Sequence, residues 1–152
     1  MIVLDTNVVS ELMRPEPDRR VVEWVAGRAA AQLYTTALTT AEVRLGIELL
    51  PKGRRRDAIQ AAAEAIFEDD FGARVLPFDS AAAREYAAIV ATRRRAGRPI
   101  DAIDAQIGAI CRAYGTTLAT RNVEDFDGCG VDVVDPWRAR KSAGVAKTRG
   151  PH

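Results

Sequence analysis

The sequence has almost none of the residues that carry nucleophilic triad or zinc chemistry. Among 152 residues there is one histidine, His152, and there are two cysteines, Cys111 and Cys129. With its only histidine at the last position, the chain is not expected to use a Ser-His-Asp or Cys-His mechanism. The two cysteines do not have zinc-site spacing, and Cys111, in an apolar stretch, is expected to be a small core residue. A glycine-rich nucleotide-binding motif is also absent.

Long apolar runs are missing as well. No run approaches the roughly 18 residues needed to cross a membrane, and the N-terminus has neither the charged segment nor the cleavage site of a signal peptide. We therefore expect a cytoplasmic protein without membrane contact. The length suits one domain, and with 47% hydrophobic and 28% charged residues the chain can bury a sizeable core.

Basic charge is concentrated at the C-terminal end. Five of the 22 lysines and arginines lie in 138–152, which contains no acidic residue, so 17 basic and 21 acidic residues remain in 1–137. We predict a folded domain over 1–137 and a basic, disordered tail over 138–152. Two further basic clusters, 52–56 and 92–98, are either solvated helix faces or phosphate contacts.

Short apolar strands alternate with segments of helical periodicity. Strands are predicted at 1–6, 33–36, 74–79, 116–120 and 131–134, and helices at about 18–28, 39–50, 54–70, 80–96 and 100–115. This alternation predicts an α/β layer fold with a mostly parallel central sheet. Ligands of such folds bind beyond the carboxyl ends of the strands.

Acidic residues follow the first strand and open two predicted helices. The candidates are Asp5, Glu42, Asp101, Asp104 and Asp125. Each has a structural alternative, since Asp5 and Asp101 suit helix N-caps, Thr39 and Glu42 form a capping-box pattern, and Asp125 could be a loop residue. Asp104 fits a purely structural role least well, because it borders the apolar stripe of its helix.

These helix and strand ends would bring several carboxylates together if they met at one sheet edge. Mutual repulsion in a partly dry cleft would raise their pKa values unless a cation neutralised them. Oxygen ligands of this kind favour Mg²⁺ or Mn²⁺. A carboxylate-held divalent ion suits phosphodiester cleavage, because it activates water and stabilises charge on the phosphate.

Four motifs occur in a familiar order and spacing, namely "MIVLDTNVVSE", "TTAEVRLG" from Thr39, "DAIDAQIGAI" from Asp101 and "LATRNVEDF" from Leu118. Together they resemble the PIN-domain ribonucleases, more narrowly the VapC toxins of bacterial toxin–antitoxin pairs, in the branch that includes the FitB proteins. The resemblance extends to about residue 137. It implies a three-layer α/β/α domain and a Mg²⁺- or Mn²⁺-dependent endoribonuclease.

The resemblance also assigns roles to individual residues. Asp5, Glu42 and Asp104 match the three catalytic acids, of which the first and third contact the metal and the second acts through water. The fourth acidic position falls at Asn122, which keeps an oxygen but loses a charge, so that Asp125 would have to substitute in a second metal site. Thr6 and Asn7 match a small polar pair that supports the site. Asp101 has no counterpart and is expected to cap its helix.

Partners are implied by the resemblance too. It indicates a cognate VapB- or FitA-like antitoxin, a toxin homodimer, higher toxin–antitoxin hetero-oligomers, and contact with operator DNA only through the antitoxin. Arg44 and Arg121 flank Glu42 and Asn122 in sequence and are candidates for RNA phosphate contacts. Two alternatives remain: a catalytically inactive PIN-like binding or assembly module, and an aspartyl-phosphate phosphatase. The latter would need a second aspartate where Asn7 lies.

Overall fold

The computed structural model describes residues 1–139, so the predicted tail lies outside the described residues except for Arg138 and Ala139. The strands are β1 (Ile2–Leu4), β2 (Leu33–Thr36), β3 (Val75–Leu76), β4 (Thr117–Ala119) and β5 (Val133–Val134). The α-helices of this part are α1 (Thr6–Leu12), α2 (Arg19–Ala26), α3 (Ala37–Glu48), α4 (Arg54–Glu64), α5 (Ser80–Arg95) and α6 (Ala102–Tyr114). A π-helical segment, Ala65–Phe71, continues α4, and short 3₁₀ helices cover Ala30–Gln32 and Val123–Phe126.

The five strands form one sheet in the order β3-β2-β1-β4-β5, and all neighbouring pairs are parallel. The central strand β1 is paired with β4 so that Leu4 lies opposite Ala119. The backbone N–H of Asp5 donates to the carbonyl of Ala119 at 2.9 Å. The residues that follow β1 and β4 therefore lie side by side at the carboxyl edge of the sheet.

Successive strand residues face opposite hydrophobic layers, as the alternation of side chains along a strand requires. Leu4 and Ala119 pack with residues of α1 to α4, whereas Val3 and Leu118 pack with residues of α5 and α6. The sheet is thus covered on both faces, which explains why its strands are apolar throughout. The predicted three-layer α/β/α fold with a parallel sheet is confirmed.

Most predicted elements are present, but the start of α3 is displaced. The capping-box prediction, with Thr39 as the N-cap and Glu42 in the first turn, is wrong. The N-cap is Thr36, whose hydroxyl accepts a hydrogen bond from the backbone N–H of Thr39, and the helix begins at Ala37. Because β2 runs directly into α3, Thr36 ends the strand and also caps the helix, and Glu42 lies in the second turn.

Cys111 is buried as predicted, and other apolar side chains are buried with it. Cys111 is fully buried and both tryptophans, Trp24 and Trp137, are nearly so. On α6, Ile107 and Ile110 are fully buried and Ile103 packs at the edge of the same core. None of the helices in residues 1–139 has both the length and the apolarity needed to span a membrane.

The basic cluster 92–98 contains one arginine that is neither solvated nor available to phosphate. Arg93 is 7% exposed, and its guanidinium donates to the backbone carbonyls of Arg98, Asp125 and Asp127 at 2.6–3.0 Å. Arg98, at the end of the cluster, pairs with the Asp127 carboxylate at 3.0 Å. Both arginines therefore fasten the loop after β4 to the end of α5.

Candidate active site

Asp5 lies at the carboxyl end of β1 and is 4% exposed. One carboxylate oxygen accepts from the backbone N–H of Thr6 at 2.8 Å and so caps α1. The other accepts from the hydroxyl of Thr120 at 2.7 Å. Burial raises the pKa of Asp5, opposed by these hydrogen bonds and assisted by the nearby charges of Glu42 and Asp125. The capping role and a place in the acidic site are therefore compatible.

Glu42 is held against α1 by a threonine. The hydroxyl of Thr6 donates to a Glu42 carboxylate oxygen at 2.6 Å and lies 3.1 Å from the hydroxyl of Thr39. Since the Thr6 hydroxyl has one proton, which goes to Glu42, Thr39 is the donor in the second contact. Thr39 is fully buried, so Glu42 is anchored to the interior through two hydroxyl groups.

Asp104 lies on the first turn of α6, partly exposed. Asp101, the N-cap, accepts from the backbone N–H groups of Ile103 and Asp104, which confirms its predicted capping role. Asp104 itself makes no cap. Burial, together with the charges of Asp5, Asp101, Asp125 and Glu42, raises its pKa to about 6.

The structure therefore brings together the carboxylates that the sequence places in separate segments. Asp104 is close enough to the four other candidate acids for their charges to raise its pKa. These acids come from the end of β1, α3, the α6 cap and the 3₁₀ helix after β4. Within residues 1–139, no lysine or arginine forms an ion pair with Asp5, Glu42 or Asp104. Together these residues form a negatively charged cluster, the acidic pocket.

The donor chemistry of this pocket suits a hydrated divalent ion. In the described part of the chain no set of three or more histidine, cysteine, aspartate or glutamate side chains is arranged to hold a metal. Mg²⁺ commonly keeps several waters and is bound through one or two carboxylates, so a preformed set of three is not required. Asp5 and Asp104 would supply such a pair, and a cation would offset the burial and the repulsion that raise their pKa values.

Thr120 is a site residue that the sequence analysis did not identify. Its hydroxyl is fully buried, donates to Asp5 and accepts from the side-chain amide of Asn7 and the backbone N–H of Asn122, both at 3.1 Å. The Asn7 side-chain oxygen in turn accepts from the backbone N–H of Arg121 at 3.2 Å. Its position in the sequence could have indicated it, because Thr120 directly follows β4 just as Asp5 directly follows the neighbouring β1.

Asn122 and Asp125 follow β4 on the same side of the sheet. Asn122 precedes the 3₁₀ helix Val123–Phe126, which contains Asp125. The Asp125 backbone carbonyl is bound by buried Arg93, so its position relative to Asp104 and Asp5 is fixed by α5.

The two arginines proposed to contact RNA have different surroundings. Arg44 pairs with Glu68 at 3.5 Å and lies over the ring of Phe67. The guanidinium of Arg121 lies 5.0 Å from the centroid of the Trp137 ring. Only Arg121 is connected to the acidic pocket by a hydrogen bond, through Asn7.

Comparisons with known proteins agree with this arrangement. The PIN domain family model matches residues 2–128. VapC ribonuclease Y4jK of Sinorhizobium fredii is 42% identical over 137 residues, which cover 90% of this chain and 98% of that protein. Toxin FitB of Neisseria gonorrhoeae is 39% identical over 137 residues, with 90% and 99% coverage.

Structural similarity extends over the same region. A chain in the solved structure of FitAB bound to an IR36 DNA fragment has a TM-score of 0.86 and 37% identity, and the match covers 94% of this chain and 100% of that one. The sequence and structural matches cover nearly the whole described chain, including every element that contributes to the acidic pocket. The chain therefore belongs to the PIN-domain family, in the branch of the VapC and FitB toxins.

Proposed function

We propose that this protein is a Mg²⁺- or Mn²⁺-dependent endoribonuclease and the toxin of a VapBC-type toxin–antitoxin pair. The observation that carries the proposal is the clustering of Asp5, Glu42 and Asp104, none of which forms an ion pair with a lysine or arginine within residues 1–139. The name of the relative VapC ribonuclease Y4jK supports RNA as the substrate. The protein would act in the cytoplasm, where its RNA substrate is found.

Each residue has a role that follows from its contacts. Asp5 and Asp104 would hold the ion, which when bound supplies Lewis-acid chemistry toward a phosphodiester. Asp5 is preorganised because both of its oxygens are hydrogen-bonded. Glu42, held by Thr6, would orient a water and accept its proton. Thr6, Asn7 and Thr120 keep these carboxylates in position, and Asn122 and Asp125 would contribute further oxygen atoms.

Cleavage of a single-stranded RNA by the purified chain tests the proposal. We expect cleavage with Mg²⁺ or Mn²⁺, none with EDTA, and a loss of about 100-fold or more in Asp104→Asn. Asp101→Asn is the matched control, since asparagine also caps helices. Cleavage that persists in EDTA or in Asp104→Asn would refute the proposed nuclease.

The alternative is a PIN-like module without catalytic activity. Asn122 favours it, because the amide removes one charge from the fourth acidic position. Expression in a bacterial host distinguishes the two functions. Growth arrest that Asp5→Asn abolishes supports a nuclease toxin, whereas equal effects of wild type and Asp5→Asn support a binding module.

The family of this chain and an apolar cleft beside the acidic pocket lead us to propose a protein partner as well. An apolar cleft of about 700 Å³ lies between α1, α3 and α4 and extends to Thr6 and Glu42. We propose that the C-terminal segment of a VapB- or FitA-like antitoxin docks there, next to the acidic pocket. Three further predictions about partners remain. The toxin would form homodimers, assemble with the antitoxin into hetero-oligomers, and contact operator DNA only through the antitoxin.

Gly46 offers a test of this docking. It lines the cleft, and a Cβ atom added at this position would meet no atom within 4 Å. We expect Gly46→Leu to weaken capture of a co-expressed antitoxin because its side chain would fill the cleft. Gly46→Ala is the control and should leave capture unchanged. Equal capture by both variants would place the antitoxin elsewhere.

A further inference from the structure

A second, polar cleft of about 570 Å³ lies beside the acidic pocket. Its lining includes three arginines from three separate segments: Arg20 on α2, Arg121 after β4, and Arg138 after β5. It also includes Asn122 and Asp125, so it shares residues with the candidate active site. Its size falls within the roughly 300–1,000 Å³ typical of ligand sites.

The acidic pocket by itself presents an electrostatic problem for a polyanionic substrate. Its carboxylates repel the phosphates of RNA, and a bound ion offsets only part of their charge. Fixed positive charge beside the pocket would hold the strand where repulsion would otherwise displace it. The polar cleft is lined by three arginines and by three acids, Glu124, Asp125 and Asp135. An arginine can bind a phosphate of the strand only if an acid does not already neutralise its charge.

Two of the three arginines have carboxylate partners. Arg20 makes a bidentate pair with Asp18, at 2.8 and 3.1 Å, and this bond lowers the pKa of Asp18 to about 2. Arg138 lies 3.9 Å from Asp135 and its side chain is 88% exposed. In residues 1–139 Arg121 has no ion-pair partner.

Arg121 is also positioned by contacts of both its side chain and its backbone. Its guanidinium lies over the ring of Trp137, which is 6% exposed and so gives a rigid support. Its backbone N–H is bound by Asn7, whose amide donates to Thr120, the residue that holds Asp5. The N–H donors of a guanidinium lie in one plane, and those on its free edge can form a bidentate bond to a phosphate.

We propose that the polar cleft is a phosphate subsite for the RNA strand, in which Arg121 binds a phosphate next to the one in the acidic pocket. The inference rests on the proposed nuclease function. Arg20, neutralised by Asp18, contributes little. Arg138, exposed and 3.9 Å from Asp135, adds a second, weaker contact. The bound group is the sugar–phosphate backbone, so recognition is independent of base sequence.

Binding of a fluorescent 12-nucleotide single-stranded RNA in EDTA, followed by anisotropy, tests the subsite without cleavage. We expect Arg121→Ala and Arg121→Gln to weaken binding by roughly 5- to 20-fold for any sequence and to reduce the salt slope by about one. Arg121→Lys should restore part of the affinity, because lysine keeps the charge but loses the planar fork.

The matched control is Arg84→Ala, which removes the same charge from an exposed position. Its neighbour Glu85 lies with Thr117 at the amino end of β4, opposite the site. We expect less than a twofold change. Equal losses in Arg84→Ala and Arg121→Ala would overturn the subsite, because only net charge would then matter.

Cleavage kinetics separate this inference from the function on which it rests. With metal present, Arg121→Ala should raise KM by a similar factor and leave kcat within about threefold. Metal-dependent cleavage with an unchanged KM in Arg121→Ala would overturn the subsite alone. A wild-type protein that neither binds nor cleaves RNA would overturn the proposed function as well.

Discussion

Single hydroxyl groups organise the acidic pocket. Thr120 is bonded to Asp5, Asn7 and Asn122, and Thr6 is bonded to Glu42. Both lie directly beside the carboxylates, and neither carries charge. Such residues cannot be recognised from residue type alone, because threonine is common both in strands and at helix caps.

Thr120→Val should destabilise the protein and impair the site. The substitution removes the donor to Asp5 and leaves the backbone N–H of Asn122 without its acceptor, at an expected cost of about 1–3 kcal/mol in the free energy of unfolding. Urea denaturation measures this cost. Thr40→Val, which removes only a 3.4 Å bond to a helix carbonyl, should change stability by less than about 0.5 kcal/mol. Equal effects would contradict a special role for Thr120.

Asp104 should make the metal-free protein less stable as pH rises. Its pKa is 3.8 when unfolded and about 6 when folded, so between these values the folded state holds more protons. The contribution to stability is present below pH 3.8, falls across this window, and is lost above pH 6. Asp104→Asn should therefore be more stable than wild type at pH 7.5 by about 1 kcal/mol, since solvent screens a half-buried carboxylate.

Denaturation in EDTA at pH 4 and pH 7.5 checks the sign. The gain in Asp104→Asn should be confined to the higher pH, and added Mn²⁺ should stabilise the wild type but not the variant. A variant less stable than wild type at pH 7.5 would show that the carboxylate repulsion is not significant.

At the scale of elements, the loop after β4 depends on α5. Arg93 binds three backbone carbonyls, two of them in the loop that follows Asn122. The sequence gives no sign of this, because Arg93 lies within a run of arginines and only the packing of α5 turns it inward. Arg94 and Arg95, next to it, are exposed.

Arg93→Ala should loosen the 3₁₀ helix that contains Asp125. Three carbonyls lose a charged donor, so we expect a loss of about 2–4 kcal/mol and faster amide exchange over residues 122–129. Hydrogen exchange followed by mass spectrometry resolves this segment from the rest. Arg94→Ala serves as the control. Unchanged exchange in Arg93→Ala would mean that other contacts hold the loop.

At the scale of the whole molecule, the proposed metal site depends on segments far apart in sequence. The pairing of β1 with β4 and the packing of α6 on the sheet bring Asp5 and Asp104 near each other. Calorimetric titration with Mn²⁺ should therefore detect binding in wild type and a loss of at least tenfold in both Asp5→Asn and Asp104→Asn. Asp101→Asn should bind nearly as well as wild type. Equal affinity in all four proteins would exclude this pair as ligands.

The sequence by itself determined the α/β class, the order of strands and helices along the chain and the burial of both sheet faces, and it indicated Asp5, Glu42 and Asp104 as candidate site residues. Apolar patterns with a period of 2 or 3.6 residues are local, so they can be recognised directly in the sequence. Its family motifs also indicated the PIN fold before any contact was known. The start of α3 predicted from the sequence was wrong, because Thr36 both ends β2 and caps α3. A local pattern assigns a residue to one element and does not show that it belongs to two.

Only the tertiary structure decided which polar side chains meet. The pairing of Thr120 with Asp5, the inward turn of Arg93 and the stacking of Arg121 on Trp137 join residues 16 to 115 positions apart. Such contacts depend on strand register and helix packing, which the whole core fixes at once, and no short stretch of sequence contains that information. For the same reason the shared electrostatic environment of Asp5, Glu42 and Asp104 is a property of the fold.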